Sequence, residues 1–286
     1  MNDLSIQLVV WDREGRAVPG LLPALGIADL LGRRASAPDR VGGVVLSAVG
    51  AGGKTTLLHA IGRECVALGL KTVLTTTTRL WHEDGAALDV DDALARRLDS
   101  ALLVAGRPCK GGKIAAFPQE GFDRLRHGFD VILVEADGSR GMPFKVPAAH
   151  EPVVPPQTDL LLVVASATAL GRPLGEVCFR EEEARAILSA DPTAGVVIDS
   201  AAAAALLRSG YVVPVRGLER SGDITVVITH VDHGASDDNL EGLIRLLPHH
   251  RVACVGTRHR EANSEEENNA GRRKASPLSP AGQGGR

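Results

Sequence analysis

Seven consecutive residues, Gly50-Ala51-Gly52-Gly53-Lys54-Thr55-Thr56, carry the most specific chemistry in the chain. Glycines this close together let successive backbone N–H groups turn inward around an anion, because no Cβ obstructs the turn or opposes a positive φ. A lysine and two hydroxyls follow at once. They are the groups that hold phosphate oxygens and a Mg2+ ion. The backbone of Gly50, Ala51, Gly52, Gly53 and Thr56 is therefore expected to cradle the phosphates of ATP or GTP. Lys54 would reach the β- and γ-phosphates, and the Thr55 hydroxyl would coordinate Mg2+.

The full phosphate-loop pattern is G-x-x-x-x-G-K-[ST], and Ala48 stands where its first glycine would be. The loop resembles instead the shorter G-x-x-G-K-T-T form of Mur-type ligases, opened by Gly50. A second element with the right chemistry is Asp130-Val131-Ile132-Leu133-Val134-Glu135-Ala136-Asp137-Gly138. It reads as an aliphatic strand running into carboxylates, the form of a Walker B element. Ligands of open α/β sheets sit beyond the carboxyl ends of the strands. The period of two puts Glu135 and Asp137 on one side if the strand reaches that far. Glu135 is the first expected metal ligand and Asp137 the second; one would hold Mg2+ while the other orients a nucleophile. Lys54, Glu135 and Asp137 are thus the candidate catalytic set.

Three further groups are candidates by position. Thr75-Thr76-Thr77-Thr78-Arg79 follows a strand, so Thr77, Thr78 and Arg79 could meet phosphate or a second substrate; β-branched strand residues and a turn are the plainer reading. Thr229-His230-Val231-Asp232 resembles the N-K-x-D element that reads guanine, with Asp232 accepting from the base and Thr229 beside it, although Thr229 and His230 depart from Asn and Lys. His230, His233 and Asp232 lack a well-placed third partner for a metal. The long Pro-rich stretch from Asp137 to Pro155 holds Lys145, His150 and Glu151 as candidate substrate contacts, since long loops are often functional.

The elements that must position these groups can be read from the aliphatic pattern. The 286 residues are 44% hydrophobic but only 3% aromatic, so the core is aliphatic, as suits doubly buried parallel strands. Strands are expected at 44–49, 71–75, 101–105, 131–134, 160–164, 195–198, 225–229 and 252–255. Helices are expected at 56–68, 89–98, 122–127, 181–189, 200–209 and 238–247. The alternation predicts an α/β fold, a doubly wound, mostly parallel sheet flanked by helices, like that of P-loop NTPases. Residues 1–40 read as a lead-in helix and loop, 41–259 as the α/β domain, and 260–286 as a disordered tail poor in apolar residues. A net charge of -3 argues against a general nucleic-acid binder. With no long apolar run and no basic-then-apolar opening, neither membrane span nor secretory signal is expected, and cytoplasm is the expected location. Cys65, Cys109, Cys178 and Cys254 form no CxxC pair and read as reduced thiols, Cys109 beside Lys110 being a candidate for activation.

The GAGGKTT, TTTT and VEADGS strings, the stretch from Lys145 to Pro155 and the late T-H-V-D together resemble the YqeC family. The likeness runs from about Leu25 to Val255. It implies an accessory protein for selenium-dependent molybdenum hydroxylases, acting in maturation or in insertion of a selenium cofactor, with that hydroxylase as partner. On this reading the chain hydrolyses the bound nucleotide to drive delivery. Two other readings stay open: a small-molecule kinase or Mur-like ATP-dependent ligase, and a non-catalytic scaffold gated by nucleotide.

Overall fold

Aliphatic runs such as Val44–Val49 and Leu160–Ala165 bury both of their faces, and only a sheet covered on both sides provides for that. The computed structural model describes residues 7–36, 41–213, 223–232 and 237–258. Along the chain these form β1 (Gln7–Trp11), β2 (Ala17–Val18), α1 (Leu21–Ala24), α2 (Ile27–Ala35), β3 (Val44–Gly50) and α3 (Lys54–Ala67). Next come β4 (Thr72–Thr76), β5 (Arg79–Trp81), α4 (Val90–Ala95), β6 (Leu103–Val104), β7 (Arg107–Cys109), β8 (Lys113–Ala115), α5 (Gln119–Gly128) and β9 (Val131–Glu135). The remainder is β10 (Phe144–Lys145), β11 (Leu160–Ser166), α6 (Leu174–Val177), β12 (Cys178–Phe179), α7 (Glu181–Leu188), α8 (Ser200–Leu207), β13 (Asp223–Thr229), α9 (Asp237–Arg245) and β14 (Arg251–Arg258).

The main sheet has nine strands in the order β2-β1-β14-β13-β11-β3-β9-β4-β6. Every neighbouring pair from β14 across to β6 is parallel. Strand alternation divides the core in two. Val45, Val49, Ile132, Val134, Leu161 and Val163 face the helices that include α5, α7 and α8. Val44, Leu46, Leu133, Leu160 and Leu162 face α1, α2 and α3. The doubly wound α/β expectation is met.

The topology fixes where a ligand can sit. From β3 the chain moves out to β4 and comes back to β9, then crosses to β11 on the other side of β3. Strand order therefore reverses at β3, and the crevice beyond the carboxyl end of such a strand is where open sheets bind ligands. The glycine-rich loop occupies that place, between β3 and α3.

Three differences from the expected elements have physical causes. Residues 195–198 form no sheet strand; Val197 makes one isolated antiparallel bridge to Pro173. Both edges of β11 are already taken by β3 and β13, which leaves no adjacent edge for that segment. The lead-in contributes more than a helix: β1 pairs antiparallel with β14 and extends the same sheet. A small second sheet, β5-β8-β7, stands beyond the end of β4, built from three-residue strands too short to show a period. The expected tail, 260–286, lies outside the described residues. Among those described, no helix is long and apolar enough to cross a membrane.

Candidate functional site

The phosphate loop is shaped by backbone that only glycine adopts freely. Gly50, Gly52 and Gly53 have φ of 95°, 82° and 103°. A Cβ on Gly50 would collide with the Val164 carbonyl oxygen, and one on Gly52 would lie 2.5 Å from the Ser166 Cβ. The glycines are thus required both by conformation and by the close approach of β11. No side chain caps α3, whose N-cap is Gly53. The first-turn N–H groups of this 14-residue helix have no side-chain acceptor, which is the arrangement that receives an anion.

Lys54 and Thr55 are held from opposite sides. The Lys54 ammonium donates to the Gly50 carbonyl at 2.6 Å and pairs with Asp137 Oδ1 at 3.1 Å. The Thr55 hydroxyl donates to Glu135 Oε2 at 2.6 Å. β9 lies beside β3 in a register that opposes Ala48 and Glu135, so the carboxylate projects at the loop from the neighbouring strand. Burial pushes the Glu135 carboxyl above its ordinary value of 4.5; Lys54 and the Thr55 hydroxyl pull it down, and Asp137 pushes it up again. The residues present fit a nucleotide with Mg2+. They offer a glycine cradle, uncapped helix donors, an ammonium, and a hydroxyl paired with a carboxylate.

The raised Glu135 value carries a stability prediction for the chain free of nucleotide and Mg2+. The folded state holds this proton more tightly than the unfolded chain does. Its contribution to stability is therefore complete below the unfolded value and is lost as pH rises through the folded one. Glu135→Gln is expected to flatten that part of the pH dependence. Urea unfolding from about pH 4 to about pH 8 reads it; a wild-type loss of stability unchanged in the variant would contradict it.

Asp137 is placed differently from Glu135. It is fully buried, just past the end of β9. Its Oδ2 accepts from the Gly50 N–H at 3.0 Å, from the Lys145 ammonium at 3.1 Å and from the Tyr211 hydroxyl at 3.3 Å. Oδ1 faces the Lys54 ammonium as an ion pair but accepts no hydrogen bond among the described residues, so only Oδ2 of the expected second metal ligand is fully engaged by the protein. Lys145, expected at a substrate, is buried under the loop; it donates to the Gly138 carbonyl at 2.7 Å and pairs with Glu151 Oε2 at 2.7 Å. Glu151 also pairs with Arg180 at 3.0 Å. Burial acts to raise the Glu151 carboxyl, but Lys145 and Arg180 outweigh it and hold it below the usual range. His150 lies exposed in the adjoining turn.

Tyr211 completes this cluster and was not foreseen. It is the chain's one tyrosine, and a π-helical stretch over Arg208–Val212 follows α8 and carries it. Burial, then the Asp137 charge, drives its hydroxyl well above the ordinary value of 10.0, so it remains a donor. A lone phenol among aliphatic residues was the available signal, since a buried Tyr hydroxyl needs a partner.

The other candidates fall on two sides of the loop. The Thr229 hydroxyl donates to the Gly52 and Ala165 carbonyls, so it clamps the phosphate loop to β13. His230, at φ 54°, has its Nδ1 3.1 Å from Ser166 Oγ, and its ring would lie 3.3 Å from a Cβ on Gly53. Asp232 is exposed, and its Oδ2 accepts from the Thr257 N–H at 2.8 Å, which ties it to the end of β14. His233 lies outside the described residues. On the far side, the Thr76 hydroxyl and Thr77 N–H both donate to the Glu135 carbonyl, at 2.8 and 3.2 Å. The Thr75 and Thr77 hydroxyl oxygens are buried without a hydrogen-bond partner among the described residues. Thr78 lies next in the bend, and Arg79 opens β5 at the surface. Cys65, Cys178 and Cys254 are buried, which pushes their thiols up to about 12, 12 and 11; Cys109 is half-buried on the small sheet.

Residues 46–182 match the model of the family described as "YqeC protein". A relative from Escherichia coli (strain K12), named "Uncharacterized protein YqeC", is 38% identical over 136 residues, which is 44% of this chain and 53% of that protein. The aligned stretch thus spans about half the length of that relative. The family match takes in the phosphate loop, Glu135, Asp137, Lys145, Glu151 and Arg180, while Tyr211 and Thr229 lie beyond it.

Proposed function

With residues 46–182 belonging to the YqeC family, we propose that the chain binds a nucleoside triphosphate with Mg2+ at the Gly50–Thr56 loop and hydrolyses it as an accessory protein. The observation that carries this reading is the convergence of the uncapped, glycine-lined start of α3 with Lys54 and the Thr55–Glu135 pair at the strand-order reversal. The cradle N–H groups and Lys54 bind phosphate. Thr55 and Glu135 are the groups that would hold Mg2+, which when bound neutralises charge on the β- and γ-phosphate oxygens. Asp137 holds Lys54 and the Gly50 N–H in place. Thr229 and Asp232 are the groups we propose to meet the nucleoside, whether of ATP or GTP.

The client we propose is a selenium-dependent molybdenum hydroxylase, with hydrolysis coupled to its maturation or to selenium cofactor insertion; this rests on the family resemblance. The measurement is Mg2+-dependent phosphate release, with and without the hydroxylase, followed by product analysis. Phosphate release that Glu135→Gln lowers by about 100-fold, together with nucleotide-dependent capture of the hydroxylase, is the expected result. A phosphorylated or ligated small molecule would favour a kinase or Mur-like ligase. Tight nucleotide binding without turnover would favour a scaffold.

A further inference from the structure

The buried charge cluster continues from Glu151 to Arg180 and the Phe179 ring. Beyond Asp137 the chain makes a tight turn, in which the Met142 N–H donates to the Ser139 carbonyl at 3.1 Å. Its central residues, Arg140 and Gly141, have φ of 52° and 75°. Positive φ at both central positions favours Asn, Asp or Gly, so an arginine there is strained. The turn springs from the wall of the phosphate loop. The Pro143 carbonyl accepts from the Ser166 N–H at 3.0 Å and lies 2.9 Å from where a Cβ on Gly52 would be.

Three cations converge on one aromatic ring at this place. The Arg140 and Arg180 guanidinium groups lie 4.8 and 5.1 Å from the Phe179 centroid, and the Lys145 ammonium lies 5.9 Å from it. Arg180 also has a left-handed backbone, at φ 72°. Lys145 and Arg180 share the Glu151 carboxylate, and Arg180 reaches half-exposed Glu183 at 3.8 Å. Arg140 is exposed and has no carboxylate partner among the described residues. Left-handed backbone at a non-glycine residue is costly and clusters at ligand sites, and here it occurs at both arginines on the ring. Guanidinium forks over an aromatic floor match an oxyanion attached to a small organic body.

We propose that Arg140 and Arg180, set around Phe179, form a subsite for the phosphate or carboxylate group of a small second substrate beside the phosphate loop. This deepens the nucleotide reading and rests on it for the identity of the first substrate. An oxyanion held there would lie next to the turn whose far end walls the nucleotide's phosphates. Phe179 would pack against the organic part.

The test titrates inorganic phosphate, and separately acetate, into the wild-type chain saturated with Mg2+ and a non-hydrolysable nucleotide analogue, read by calorimetry. Whichever probe binds identifies the oxyanion class. Arg140→Asn removes the cation while tolerating the left-handed backbone. One saturable event that weakens about tenfold in Arg140→Asn, with nucleotide affinity held, supports the subsite. No saturable event, an equal event in the variant, or a loss of nucleotide affinity in the variant overturns it. The same titrations on Lys54→Ala and on Lys54→Ala with Arg140→Asn separate the two readings. If the wild type takes no nucleotide, the phosphate-loop reading fails alone, and oxyanion binding that depends on Arg140 still supports the subsite.

Discussion

Replacing Lys145 with methionine is expected to lower the unfolding free energy by about 3 kcal/mol, the scale of removing one partner from a buried ion pair. The side chain is fully buried and lies between Asp137 and Glu151. Methionine fills a similar volume but leaves two carboxylates in the interior with one cation fewer. Arg180 still serves Glu151, while Lys54, the Gly50 N–H and Tyr211 still serve Asp137, which places the loss at the lower end of that scale. Denaturant unfolding of the two chains measures it. The companion Glu151→Gln identifies the cause: if the two groups stabilise each other, the double variant loses less than the two single losses combined. A Lys145→Met chain within about 0.5 kcal/mol of wild type would show that the ammonium is not needed there.

That cluster was largely hidden in the sequence, for a physical reason. Gly50–Thr56 and Glu135 were legible because their chemistry is local: a strand, a tight turn and a helix start are continuous in the chain, and an aliphatic strand ending in an acid is a pattern by itself. Lys145 read as a substrate contact because a lysine in a Pro-rich loop gives no sign of burial. Its destination depends on the chain folding back so that β10 pairs with β12, two-residue strands that carry no period. Tyr211 arrives from 74 positions beyond Asp137, and only the packing of α8 and the π-helical stretch brings it there. Thr229 was noticed for its place in a base-reading pattern, and its bond to the Gly52 carbonyl makes it a clamp on the phosphate loop as well. The doubly wound sheet was legible because most of its fully buried strands are dominated by aliphatic residues. The antiparallel extension supplied by β1 was not, since five residues that pair only with β14 and β2 carry little pattern of their own.

The second large effect concerns Lys54. Its side chain is 3% exposed, and its ammonium is bound between the Gly50 carbonyl and Asp137, at the mouth of the cradle. A charge-assisted hydrogen bond contributes about 1.5–3 kcal/mol, which corresponds to roughly 10- to 100-fold in affinity. Lys54→Ala also leaves Asp137 with one cation fewer, so the variant's fold is checked by circular dichroism before binding is compared. Because Lys145 and Tyr211 remain on Asp137, the variant is expected to stay folded.

Calorimetric titration of Mg·ATP and Mg·GTP into the wild-type chain and into folded Lys54→Ala tests nucleotide binding at this loop most directly. The expected result is saturable binding of at least one nucleotide by the wild type, weakened by at least about tenfold in the variant. Equal affinity in the two chains, or no binding of either nucleotide by the folded wild type, would contradict a phosphate site at Gly50–Thr56.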